Sequence, residues 1–313
     1  MKVLVTGGAG FIGSHVVEEL LHSQYEVVVI DNLKTGCYEN LSKKVKLYEL
    51  DVNDAHMEQV FKLEKPDYVM HLAAQASIMV SMSNPLLDLY TNTVGTLQLL
   101  LLSKKYYVKK FIFASTAAVY GEPSYLPVDE KHSLDPQSFY ALSKQTAEKY
   151  IEFDAKNNEL NYCILRYSNV YGPRQNTNGE AGVIPIFINK LLANEHVRIF
   201  DGSQTRDFIF VKDVAKACRL ALESNRQGIF NISSCTETSV NDLYFLLTEE
   251  MGLSTVPLYE PLRVGEIKNS VLDNRRTRKE LDWAIEFTLS EGLKETIHYY
   301  LELLMLKGQK ITQ

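Results

Sequence analysis

The chain has 313 residues, is 45% hydrophobic and 23% charged, and carries a net charge of −6 at pH 7. That is the composition of an ordinary globular protein, long enough for one large domain or two modest ones. It is a poor match to a nucleic-acid binder, which needs a basic stripe, and the densest apolar stretch, LQLLLLSKKYY, is broken by charge well short of the roughly 18 residues of a membrane span.

In chain order, short β-branched runs alternate with helical patterns. VLVT (3–6) leads into VLVTGGAGFIG, with four glycines in seven residues, and a helix is expected near 11–23. EVVVI (26–30) ends at Asp31 and VKLYEL (45–50) at Asp51. A helix near 54–64 precedes DYVMHLAA (67–74), and residues 85–107 are expected to form one long helix. KKFIFAS (109–115) is the next strand, 138–157 the next helix, and NYCILRYSNVYG follows. This alternation predicts an α/β fold, a doubly wound parallel sheet whose nearly all-apolar strands are covered by helices on both faces.

Beyond about residue 170 the rhythm weakens. A polar loop at 172–182 is followed by helices near 183–193, 211–224, 238–252 and 289–306, with short strands between. We expect residues 1–170 to form a dinucleotide-binding domain, 171–313 mainly a smaller α/β lobe, and a segment about 205–232 to return to the first.

The four cysteines, Cys37, Cys163, Cys218 and Cys235, form no CxxC pair, and MKVLVTGG is too short an apolar run for a signal peptide. Reduced thiols and a cytoplasmic location are expected. The seven histidines are scattered without ligand spacing, so no metal is expected.

Gly7, Gly10 and Gly13 recur at three-residue intervals between a strand and a helix. There the helix amides converge on one spot, and the missing β-carbons let a pyrophosphate approach. A turn needed only for packing is the plain alternative. Asp31 argues against it, because an acid ending the second strand can bind the adenosine ribose of NAD and repel the extra phosphate of NADP. Asp51 ends the third strand, where a carboxylate can meet the adenine amino group; either acid alone could be a solvated strand end.

A second constellation follows the fifth strand. STAAVYG (115–121) supplies the hydroxyl of Thr116, and YALSK places Tyr140 and Lys144 at i and i+4 on one helix face. A tyrosine with an ordinary pKa of about 10 is a poor base at neutrality. A neighbouring ammonium favours its phenolate, and Thr116 can share a proton with a substrate and steer it to the tyrosine. Together they can deprotonate a sugar alcohol while hydride leaves its carbon. A surface YxxxK pair without chemistry is the plain alternative.

TGGAGFIGS, DN at 31–32, DV at 51–52, HLAAQAS, STAAVYG, YALSK, LRYSNVYGPRQ and RDFIFVKDVA together resemble the extended short-chain dehydrogenases/reductases, and among them the UDP-galactose 4-epimerases, over nearly the whole length. The resemblance implies bound NAD, with Gly7, Gly10, Phe11 and Ile12 at the pyrophosphate, Asp31 and Asn32 at the ribose, Asp51 and Val52 at the adenine, Ala73, Ala74 and Gln75 along the cofactor, and Lys144 also at the nicotinamide ribose. It implies that Tyr140 takes the proton from the sugar O4 and that Thr116 stands where a serine is often found. For the UDP-sugar it implies Asn169, Val183, Arg206, Arg263 and Glu266, and places the small Ser270 beside the sugar C2 substituent, leaving room for N-acetylated sugars. It further implies a homodimer built on helices 85–107 and 138–157.

Departures narrow the reading. Ala117 and Ala118 stand where sugar-nucleotide dehydratases carry acids, and the basic, proline-bearing continuation of GPRQ expected of a glucuronate 4-epimerase is missing. A 4-ketohexose reductase, a UDP-glucuronate 4-epimerase and a non-catalytic nucleotide-sugar sensor are the alternatives.

Overall fold

The computed structural model describes residues 1–157, 160–176, 182–261 and 267–306. Seven strands form one parallel sheet: β1 (Lys2–Thr6), β2 (Glu26–Asp31), β3 (Lys46–Glu49), β4 (Tyr68–His71), β5 (Lys110–Thr116), β6 (Asn161–Tyr167) and β11 (Gly228–Ile232). Their order across the sheet is β3-β2-β1-β4-β5-β6-β11, and every neighbouring pair is parallel. The order reverses between β1 and β4, and ligands bind at such a switch point, beyond the carboxyl ends of the strands.

Alternation along β1 explains the two layers of helices. Val3 and Val5 join a core with Val16, Val17 and Leu20 of helix α1 (Phe11–His22) and Val214, Ala217 and Cys218 of helix α8 (Val211–Glu223). Leu4 faces the opposite way, into a core with Val60 and Phe61 of α2 (Met57–Glu64), Leu99 and Leu100 of α5 (Gly95–Lys105) and Ala147 and Ile151 of α6 (Phe139–Asn157). Trp283 closes the first core, its Nε1 donating to Asp213 O at 3.0 Å.

The expected helix 85–107 is not continuous. α3 (Ile78–Ser83) and a four-residue α4 (Pro85–Asp88) run into a π-helical turn, Leu89–Val94, before α5. The wider turn carries Asn92 into the interior. Its Oδ1 accepts from Gln75 N at 2.9 Å, and its Nδ2 donates to Gln75 O (2.9 Å), Asp88 Oδ1 (3.1 Å) and Ser143 Oγ (3.1 Å). Such turns inside helices gather at functional sites, and this one borders the cleft described below.

A third core unites α7 (Val183–Leu192), α9 (Val240–Glu250) and α11 (Leu289–Leu306) through Ile184, Phe187, Ile188, Leu243, Tyr244, Leu247, Leu293 and Ile297. Three short pairs edge it: β7 (Asn169–Tyr171) with β10 (Phe208–Phe210), β9 (Thr205–Arg206) with β12 (Thr238–Ser239), and β8 (Arg198–Phe200) with β13 (Leu258–Glu260). A short helix, α10 (Arg275–Glu280), leans on β11. No helix of the described residues is long and apolar enough to cross a membrane.

Candidate active site

The glycine run makes the turn between β1 and α1. Gly7 sits at φ +71° and hydrogen-bonds through N to Ile30 O at 2.8 Å. A β-carbon on it would come 2.6 Å from Ala73 N. Gly10 is the N-cap of α1 and offers no side chain to the first-turn amides, so those N–H groups remain for a ligand. The cradle has the shape and donors that a pyrophosphate needs.

Acids close the cleft at the next strands. Asp31 Oδ2 accepts Ala9 N and its Oδ1 accepts Leu33 N, both at 2.9 Å. The buried carboxylate thus fastens the glycine turn to the loop after β2, and its oxygens keep further acceptor capacity. Asp51 Oδ2 accepts from Asn32 Nδ2 at 2.8 Å, with Lys34 Nζ at 3.6 Å. Burial would raise the Asp51 carboxyl, but Asn32, Asn53 and the Lys34 charge hold it below its ordinary pKa.

Gly7, Gly10, Phe11, Ile12, Asp31, Asn32, Asp51, Val52, Ala73 and Ala74 all line this one cleft, and Tyr140 and Lys144 reach it from α6. Gln75 does not line it. Its Nε2 donates to Ser77 O and Asp88 Oδ1, and its Oε1 accepts Ser77 N, so the side chain is spent inside the fold and Ala76 takes its place along the cleft.

Lys144 is buried. Its Nζ donates to Ala114 O at 2.9 Å and stands 4.7 Å from the centre of the Phe113 ring. Burial pulls its pKa down to about 8, against the attraction of Asp88 and Glu148. Glu148, one turn further along α6, forms a buried bidentate pair with Arg166 (3.0 and 2.6 Å) and accepts Ser115 Oγ at 2.5 Å. That pair braces the C-terminal ends of β5 and β6 under the site. Thr116 ends β5, and its Oγ1 accepts Ala118 N at 3.1 Å, starting the turn that carries Ala117 and Ala118.

Tyr140 and Tyr167 border both the cleft and a second recess, which is lined as well by Thr116, Ser138, Ser168, Asn169, Arg206 and Ser270. Asn169 and Arg206 lead in turn to a third recess with Val183, Lys190, Arg198 and Phe200. The three hollows therefore form one run: the glycine-turn cleft, a central recess that shares Tyr140 with it, and a cationic recess beyond. Two expected residues, Arg263 and Glu266, lie outside the described residues. Sequence reasoning did not single out Asn92, Ser143, Ser138, Tyr167, Lys190 or Arg198. Asn92 alone left a signal, a polar residue inside an otherwise helical apolar run. Among the described residues no cluster of histidine, cysteine, aspartate and glutamate could hold a metal ion.

Comparison with known proteins agrees with this geometry. The NAD dependent epimerase/dehydratase family matches residues 3–233. A solved UDP-glucose 4-epimerase of Thermotoga maritima, with UDP-glucose, is 46% identical with a TM-score of 0.94, over 97% of this chain and 100% of that one. A UDP-N-acetylglucosamine 4-epimerase of Methanobrevibacter ruminantium, in complex with UDP-N-acetylmuramic acid, is 37% identical with a TM-score of 0.93, over 96% and 98%. A Thermus thermophilus UDP-glucose 4-epimerase in complex with NAD is 39% identical with a TM-score of 0.90, over 96% and 99%. Matched over most of its length by that family and by these relatives, the chain belongs to the NAD dependent epimerase/dehydratase family and, within it, to the UDP-glucose 4-epimerases, with NAD as its cofactor.

Proposed function

We propose that the protein interconverts UDP-glucose and UDP-galactose, and UDP-GlcNAc and UDP-GalNAc as well, by oxidising and re-reducing the sugar at C4. The observation that carries this is that Tyr140 lines both the glycine-turn cleft and the central recess. NAD, held by the Gly7–Ile12 turn, Asp31, Asn32, Asp51 and Val52, supplies the hydride acceptor and, once reduced, the donor.

The chain's own residues do the rest. Tyr140 takes the O4 proton and later returns it, and Lys144 holds the tyrosine near its phenolate form. Thr116 shares a hydrogen bond with the same hydroxyl. Arg206, Asn169 and Val183 hold the nucleotide diphosphate, a task that guanidinium suits through paired hydrogen bonds. Arg263 and Glu266 are assigned to the same nucleotide from sequence alone. Ala117 and Ala118 carry no acid or base, which favours simple redox over elimination. Purified protein is expected to release NAD rather than NADP when denatured, because Asp31 faces the 2′-position, and to interconvert two UDP-sugars with no cofactor added. Dependence of every turnover on added cofactor would favour a ketohexose reductase instead.

Ser270 lines the central recess and is too small to exclude an acetamido group. Ser270→Tyr is expected to depress turnover of UDP-GlcNAc selectively while leaving UDP-glucose within a few-fold. A wild type inactive on UDP-GlcNAc, or an equal loss on both sugars, refutes the broader specificity.

The working unit we propose is a homodimer. Leu86, Leu101, Leu142, Tyr150 and Phe153 are exposed on α4, α5 and α6, which pack into one layer. A second copy laid on this face would cover them, giving a sedimenting species of twice the chain mass.

A further inference from the structure

The carboxylate beside Arg206 points the other way, into the protein. Asp207 is fully buried and collects five hydrogen bonds. Its Oδ1 accepts Ser168 Oγ (3.1 Å), Ser234 N (2.8 Å) and Ser234 Oγ (2.7 Å); its Oδ2 accepts Cys235 N (3.2 Å) and Leu272 N (3.1 Å). Its backbone carbonyl accepts Asn169 N at 2.9 Å. We propose that Asp207 is a positioning residue for the hexose, its carboxylate fixing Ser168 and Leu272 in two walls of the central recess, while Asn169 is held by the backbone carbonyl.

The walls are also joined indirectly through the end of β11 and the turn after it, where Ser168 N donates to Ile232 O at 3.0 Å and Ser233 Oγ to Leu272 O at 3.0 Å. Ser168, Asn169, Ser270 and Leu272 all line that recess, yet they come from stretches about a hundred residues apart in sequence that form no sheet with each other. On the 267–274 side further ties reach Val128, Thr205 and Ser233: Val271 O accepts Val128 N (2.9 Å), Val128 O accepts Asp273 N (2.8 Å), Lys268 O accepts Thr205 N (2.9 Å) and Ser233 O accepts Asn274 Nδ2 (2.8 Å). The carboxylate bonds both walls and the turn at 234–235 directly, through one rigid group. Cys235 takes φ +56° in that turn while its N–H bonds the carboxylate. Burial raises the Asp207 pKa and the donors oppose that rise. A carboxylate accepts at every lone pair, whereas an amide must present an N–H to one cluster of donors. Asn at this place keeps the volume and breaks the arrangement.

This inference rests on the epimerase reading, and the experiment separates the two. Asp207→Asn and wild type are compared as NAD-loaded enzymes in four measurements: KM and kcat for UDP-glucose, calorimetric affinity for UDP-glucose, calorimetric affinity for UDP alone, and NAD content. The expected result is a KM and UDP-glucose affinity weakened about tenfold, the scale of lost charged hydrogen bonds. Turnover, UDP affinity and NAD content should stay within about threefold. Unchanged affinity for UDP-glucose in a folded, NAD-loaded variant overturns the assignment. So does an equal loss for UDP and UDP-glucose, which would make the carboxylate a support of the whole lobe. If Asp207→Asn does not fold, Ser234→Ala removes one donor outside the recess, and a KM shifted about threefold with the same pattern is required. A wild type that binds UDP-glucose but does not epimerise it refutes the reaction and leaves the binding comparison to decide the role of Asp207; one that does not bind it refutes both.

Discussion

Tyr140→Phe is expected to bind UDP-glucose within a few-fold of wild type and to turn it over about a hundredfold more slowly or worse, the loss of a general acid–base. The ring remains, so the wall between cleft and recess keeps its shape; only the oxygen that carries the proton is gone. Near-normal turnover would remove Tyr140 from the chemistry. The lysine behind it adds a pH signature. Burial draws Lys144 down to about 8, and the phenolate needs the ammonium charge beside it. The kcat/KM of the loaded enzyme should therefore fall as pH rises through that value, in a profile that Tyr140→Phe flattens.

Gly13→Ala is expected to be the most damaging single-methyl change in the cofactor site. A β-carbon at residue 13 would stand 2.0 Å from Gly7 O and 2.8 Å from Gly8 Cα. Both are backbone atoms of the turn itself, so no side chain can swing aside. Relief requires α1 to move away from the turn, and α1 carries the amides meant for the pyrophosphate. The purified variant should contain little NAD and melt well below wild type, in line with the several kcal/mol that strained core substitutions cost. Full NAD content at an unchanged melting temperature would show that the turn is looser than its contacts indicate.

The sheet was readable because its central strands, such as β1 and β2, are short apolar runs buried on both faces, and the first strands are punctuated by Gly7–Gly8, Asp31 and Asp51; edge strand β3, KLYE, is half-exposed. The helix interruption at Leu89–Val94 was not. It leaves the apolar spacing intact and depends on Asn92 meeting Gln75 and Ser143, 17 and 51 residues away. The resemblance implied Gln75 as a cofactor neighbour; that its side chain bonds Asp88, 13 residues on, was not legible in the sequence. Lys144 and Tyr140, which the structure places in one cleft with the glycine turn, were singled out by their i, i+4 spacing together with that turn and the STAAVYG run, since the spacing alone also fits a surface pair. Arg206 could be read from its motif, but the five donors around Asp207 come from three separate stretches, and nothing local announces them.

The last strand of the large sheet arrives late. β11 closes the edge beside β6 only after the chain has left to begin the other lobe, and α8 covers α1 on the same return. A fragment ending near residue 171 would keep the whole glycine turn and the Tyr–Lys helix. It would still leave β6 as a bare edge and strip the partner from Val16, Val17 and Leu20. Such an edge pairs with other chains, and such a face collapses onto them. The dinucleotide half of this enzyme is thus not a separable module: it should be recovered as aggregate when expressed alone, and as soluble protein when a second fragment supplying residues 205–232 is co-expressed.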